Sequence, residues 1–168
     1  TTFYAEAVSS SVGSLQTLFS GGNSCTGGNM FDLTPTTGAV VMDSLDVNTT
    51  VSASSSMTVI FYYKTGTYLG NETNAAAWTA WDTIVVISAG SGNPTRVVPS
   101  PLLIPNNQLT GIFVNFSASY SNGTNLYSNS DINVQMGAGL CGQFSGVNAG
   151  RMFNGNLYYS KPGCISPK

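Results

Sequence analysis

Met57-Thr58-Val59-Ile60-Phe61-Tyr62-Tyr63-Lys64 decides how the chain is read. Odd positions place Met57, Val59, Phe61 and Tyr63 on one apolar face. Even positions place Thr58, Ile60, Tyr62 and Lys64 on the other. This is a strand period, carried by aromatic and β-branched residues that suit a pleated, half-buried surface. The stretch is read as a central strand of a β-sandwich. Outward from it, Leu109–Ala118 repeats the pattern, with Ile112, Val114, Phe116 and Ala118 inward and Phe113, Asn115 and Ser117 outward. Val40–Val47 sets Leu45 and Val47 inward and Ser44, Asp46 and Asn48 outward. Ile132, Val134 and Met136 alternate in a third strand, and Arg151–Ser160 closes the domain with Phe153, Leu157 and Tyr159 inward. Trp78–Ser88 changes apolar face between Trp78 and Ile84, which predicts a bulge. Pro99 and Pro101 consign Thr95–Ile104 to a sheet edge. Gly137–Gly150 reads as a loop. The expectation is an all-β, jelly-roll-like β-sandwich of about 8–10 antiparallel strands. Its core is expected to be lined by Val59, Phe61, Ile112, Val114, Phe116 and Leu157.

The 168 residues suffice for one domain with a real core. Residues 13–168 are assigned to the sandwich and residues 1–12 to an N-terminal extension. Charged residues make up 7%, against about 25% in typical soluble domains. Gly, Ser, Thr and Asn replace them, supplying turns and strand positions. Five Lys or Arg residues form no basic stripe, so nucleic acid and anionic membranes find no electrostatic footprint. No apolar run approaches the roughly 18 residues of a membrane span. The chain opens at Thr1 rather than Met, and a removed signal peptide is one explanation.

The chain has no His, which removes the commonest general base and metal ligand. No carboxylate pair is evident among Glu6, Asp32, Asp43, Asp46, Glu72, Asp82 and Asp131; Asp43 and Asp46 lie three apart on a strand and point to opposite faces. No catalytic residue, cofactor or metal is therefore assigned. Cys25, Cys141 and Cys164 lie in Gly- or Pro-flanked stretches, which favours oxidised cysteines over buried core thiols. If the strand near Leu15–Phe19 pairs antiparallel with Arg151–Ser160, Cys25 and Cys141 meet. That predicts a Cys25–Cys141 disulfide and leaves Cys164 unpaired or cross-chain. Asn48, Asn71, Asn115 and Asn122 open Asn-x-Ser/Thr sequences and are candidate glycosylation sites. Trp78 is expected in the core. Trp81, three residues on, faces the other side and is the candidate for stacking on a sugar.

Several motifs in order resemble a β-sandwich module of large secreted and surface proteins of bacteria. They are Gly28-Asn29-Met30-Phe31-Asp32-Leu33-Thr34, Ser44-Leu45-Asp46-Val47-Asn48, Phe61-Tyr62-Tyr63-Lys64-Thr65-Gly66-Thr67-Tyr68, Glu72-Thr73-Asn74-Ala75-Ala76-Ala77-Trp78-Thr79, and Arg151-Met152-Phe153-Asn154-Gly155-Asn156-Leu157-Tyr158-Tyr159. The resemblance spans about Leu15 to Ser160 and departs from the family at Phe153, where Trp is usual, and in having Cys. It implies an extracellular accessory or adhesive module without catalytic residues to carry over. The expected role is a subunit of a surface assembly or filament, a homopolymer held by strand pairing between copies, with residues 1–10 donated to a neighbour. The alternative is a carbohydrate-binding module of a secreted protein that recognises surface glycans.

Overall fold

The computed structural model describes residues 11–162. Residues 1–10, including the expected donated strand, and Cys164 lie outside the described residues. The strands are β1 (Ser11–Gln16), β2 (Asn23–Cys25), β3 (Asn29–Pro35), β4 (Val40–Val47), β5 (Ser56–Thr65), β6 (Thr79–Ile87), β7 (Thr95–Val97), β8 (Leu102–Ile104), β9 (Thr110–Asn115), β10 (Ala118–Asn122), β11 (Leu126–Ser128), β12 (Ile132–Gly142), β13 (Ser145–Met152) and β14 (Gly155–Lys161). A 3-10 turn lies at Ala75–Ala77. The smaller sheet runs β1-β14-β4-β7, with β8 also paired to β4. The larger runs β2-β10-β13-β12-β3-β9-β5-β6, with β11 on β12. The two antiparallel sheets pack face to face as an all-β sandwich.

The strand count exceeds the sequence expectation because β2, β7, β8 and β11 have three residues each, too few to show a period. The strand assigned from Leu15 begins earlier, at Ser11, and pairs antiparallel with β14, Leu15 opposite Leu157. Ser11 and Val12 therefore lie in the sheet rather than in the extension. β5 is flanked by β9 and β6 and stands one strand from the edge, not mid-sheet. The bulge is present: Phe61 pairs with Asp82 and Tyr62 with Ala80, so Trp81 is the extra residue. β7 and β8, parted by the prolines, form the edge beside β4.

Val59, Phe61, Ile112, Val114, Phe116 and Leu157 are all buried between the sheets. The other face of the larger sheet differs from expectation. Phe113, read as outward, is fully buried in a second cluster with Met30, Tyr68, Trp78, Ala138 and Leu140. Tyr62 stacks on Phe113 with ring centroids 5.5 Å apart. Phe144 meets Tyr62 and Phe113 edge-on at 5.0 and 5.1 Å. The cover comes from the segment read as a loop. β12 runs on to Gly142 and turns through Gln143 and Phe144 into β13. Its glycines hid it, since Gly weakens strand patterns. Here Gly137 has a packing role: a Cβ at that position would overlap the Tyr68 phenol. Phe144 takes φ +55°, a left-handed conformation uncommon for a bulky residue, and its ring lies in the cluster.

Candidate functional site

Cys25 and Cys141 form a disulfide with Cα atoms 4.7 Å apart. Main-chain bonds frame it: Gly27 N–H donates to Leu140 C=O and Leu140 N–H to Gly28 C=O, both at 2.9 Å. The pairing of β1 with β14 sets the topology from which the bond was expected.

The acidic groups are dispersed into separate roles. Asp32, 6% exposed, accepts from Thr67 Oγ1 at 2.6 Å and Tyr68 N–H at 2.9 Å. Burial pushes its carboxyl above the usual range, against these bonds and the Lys64 charge. Asp131 pairs with Lys161 at 2.8 Å, which, with Thr37 and Tyr159, holds it below the usual range. Asp82 accepts from Ser100 N–H at 2.6 Å and is lowered chiefly by that bond. Among the described residues, no cluster of three or more His, Cys, Asp or Glu could hold a metal ion.

The outer face of the smaller sheet carries the most developed polar arrangement. Strand register sets Gln16, Asn156, Asp46 and Arg96 in one row across β1, β14, β4 and β7. Arg96 Nε donates to Asp46 Oδ1 at 2.6 Å, and Tyr158 Oη donates to Asp46 Oδ2 at 2.8 Å. The Arg96 guanidinium lies 3.9 Å from the centre of the Tyr158 ring. The Asp46 bond holds Arg96 above its ordinary pKa, and burial followed by that carboxylate raises Tyr158. Two open grooves of about 440 and 450 Å³ meet at Tyr158. Asp43, Ser14 and Val12 line the first; Gln16, Phe19, Asp46 and Asn156 line the second. Asp43 is the extra residue of a bulge in β4, so it shares this face with Asp46 rather than pointing to the opposite one as strand parity predicts. Asn156 Oδ1 is buried without a hydrogen-bond partner. Such a face offers one pinned ring and several planar polar groups.

The expected stacking residue is placed differently. Trp81 is half-buried, packs edge-on against Phe61 at 5.3 Å and donates Nε1–H to Ser100 C=O at 2.7 Å. Its bulge turns it to the inter-sheet side, so it belongs to the core rim rather than to a display surface. Trp78 is buried, in the second cluster. Tyr120 is core and Tyr62 is stacked on Phe113, whereas Tyr158 lines both grooves. Among the sequons, Asn48 corrects the outward reading: it is fully buried, and its Oδ1 accepts from Gly92 N–H at 2.9 Å. A glycan there is incompatible with this packing. Asn115 is half-buried, its amide donating to Gly27 C=O at 3.3 Å. Asn71 is half-buried in a turn, and Asn122 is exposed at the end of β10.

The sheet edges complete the picture. Among the described residues, β1 and β6 are the long lateral edge strands. Neither contains Lys, Arg or Pro, and together they hold one acid, Asp82. Compared with known proteins, the chain matches no protein-family model and no curated protein sequence.

Proposed function

We propose that this chain is an extracellular structural or adhesive β-sandwich, a subunit that polymerises by strand pairing between copies, with residues 1–10 supplying the strand. The observation that carries the reading is the state of the long edges. Soluble proteins guard exposed edge strands with Lys, Pro, bulges or inward charges; β1 has none of these, and on β6 the bulge and the inward Asp82 are confined to the first half, which leaves Ile84–Ile87 unguarded. Thr2–Val8 alternates Phe3, Ala5 and Ala7 against Tyr4, Glu6 and Val8, a pattern suited to joining a sheet. Donor and acceptor surfaces differ, so the contact is heterologous and extends into a filament unless it closes into a ring. The disulfide fits an oxidising compartment, and the resemblance to bacterial surface modules points the same way. Sedimentation and negative-stain imaging of the full chain test this: regular polymers that vanish on deletion of residues 1–10 support it, and a monomer at all concentrations refutes it.

One observation favours a second reading, glycan binding: the two grooves that meet at Tyr158. Affinity electrophoresis through gels containing soluble neutral polysaccharides tests it. Retardation of the wild type that Tyr158→Ala removes supports it, and unretarded migration in every gel ends it.

A further inference from the structure

The inner face of β6 is an unfinished part of the core. On β5, the inward residues Val59 and Phe61 are wholly buried. On β6, the inward residues Trp81, Ile84 and Val86 pack against the same core yet remain half-exposed. The outward residues Val85 and Ile87 are 66% and 64% exposed. Among the described residues, β6 pairs with β5 on one side and has no strand on the other.

The remaining edges are poorer acceptors. β2, β7 and β8 have three residues each. On β1, the Asn129 amide already donates to Ser14 C=O at 3.1 Å. β6 itself is covered in its first half, where Trp81 and Asp82 both bond Ser100. The stretch left open is Ile84–Ile87.

We infer that Ile84–Ile87 is the acceptor edge for residues 3–8 of a second copy of this chain. The inference rests on the assembly reading above and assigns its contact. The occupant comes from another molecule because its own is out of reach. With residues 3–8 laid along β6, only Ser9 and Ser10 connect them to Ser11, at the start of β1. Three Cα steps span at most about 11 Å. β1 and β7 are separated by three strand spacings, about 14 Å, and β6 lies in the other sheet about 10 Å away. The shortest path is then about 17 Å.

The alternation of the segment fits one way round. Phe3, Ala5 and Ala7 carry no charge and close the core lip beside Ile84 and Val86. Tyr4, Glu6 and Val8 then lie on the outer face beside Val85 and Ile87, which keeps Glu6 in water. The reverse facing would bury a carboxylate without a partner, which is costly.

The test uses full-length chains and sedimentation velocity, with V85D/I87D, E6K, the three changes combined, and V98D/L103D as control. Val85, Ile87, Val98 and Leu103 are all mostly exposed, so each fold is retained. V85D/I87D places carboxylates beside Glu6 and should raise the concentration needed for polymerisation at least tenfold. E6K in that background should restore assembly towards the wild type, and V98D/L103D should leave it unchanged. If V85D/I87D polymerises like the wild type, the acceptor is elsewhere while the assembly reading stands. If it fails to polymerise and E6K does not rescue it, the occupant or its facing is wrong. A wild type that stays monomeric overturns both.

Discussion

The guanidinium of Arg96 lies 3.9 Å from the ring centre of Tyr158, and both side chains bond the same carboxylate, Asp46. Residues from β4, β7 and β14 are thereby tied across the outer face of the smaller sheet. The Arg96 side chain is 48% exposed, so water and salt screen the ion pair. Arg96→Ala is expected to cost only about 1 kcal/mol, mostly lost stacking and partly lost charge. Denaturant melts at low and high salt check this: the larger part of the loss should persist in high salt.

Phe113→Ala should cost about 3–5 kcal/mol, as much as Phe61→Ala. Both side chains are wholly buried, on opposite faces of the same sheet. Urea unfolding of the two variants checks it. A near-neutral Phe113→Ala would mean that the second cluster contributes little.

Gly137→Ala should destabilise by about 1–3 kcal/mol, because the added methyl meets the Tyr68 phenol. Tyr68→Phe removes the hydroxyl and should recover part of that loss. A double-mutant cycle measures the coupling.

Peptide mapping without reduction should recover Cys25 joined to Cys141. Reducing that bond, with 116 residues between its ends in sequence, should cost about 4–5 kcal/mol by chain-entropy reasoning, an upper figure. The midpoint of urea unfolding with and without reductant reads the difference.

Two acids should impose opposite pH trends. Asp32 has a raised carboxyl, so its stabilising effect is fully present below the ordinary carboxylate pKa and is lost as pH rises through its folded value. Asp32→Asn should abolish that decline. Asp131 is lowered, so its contribution is present above the ordinary pKa and is lost as pH falls through the folded one. Asp131→Asn should therefore weaken the fold at neutral pH and make no difference in strong acid. Melting curves across the acid range separate the two.

Alternation was legible where strands are long and one face is apolar, as in β5, β9 and β14. It conveyed the fold and the six expected core residues. It misled wherever a second layer lies over a strand. Phe113 and Tyr62 read as outward because nothing in their own strands announces that Phe144 and Trp78 arrive from elsewhere. Asn48 read as outward by parity, yet it lies just past β4, where the chain turns inward and its amide serves Gly92. The β12–β13 hairpin was hidden because Gly137 and Gly139 are there to admit Tyr68 and Tyr120, contacts distant in sequence. Of the candidate surfaces, Tyr158 belongs to the closing strand whose inward residues were readable, but its partner Arg96 stands on a three-residue strand without a readable period. The open half of β6 required knowing which strand is last.

The disulfide has a mechanical consequence. β1 and β14 run antiparallel, Ser11 opposite Lys161, so opposed tension on the two chain ends meets first at this pair of strands. Once they part, slack can be drawn only from the flanks before Cys25 and after Cys141. The stretch between the cysteines, 116 residues apart, cannot lengthen, which withholds about 400 Å of contour. Under load the chain would yield a short extension and then stop, as a tether with a built-in limit.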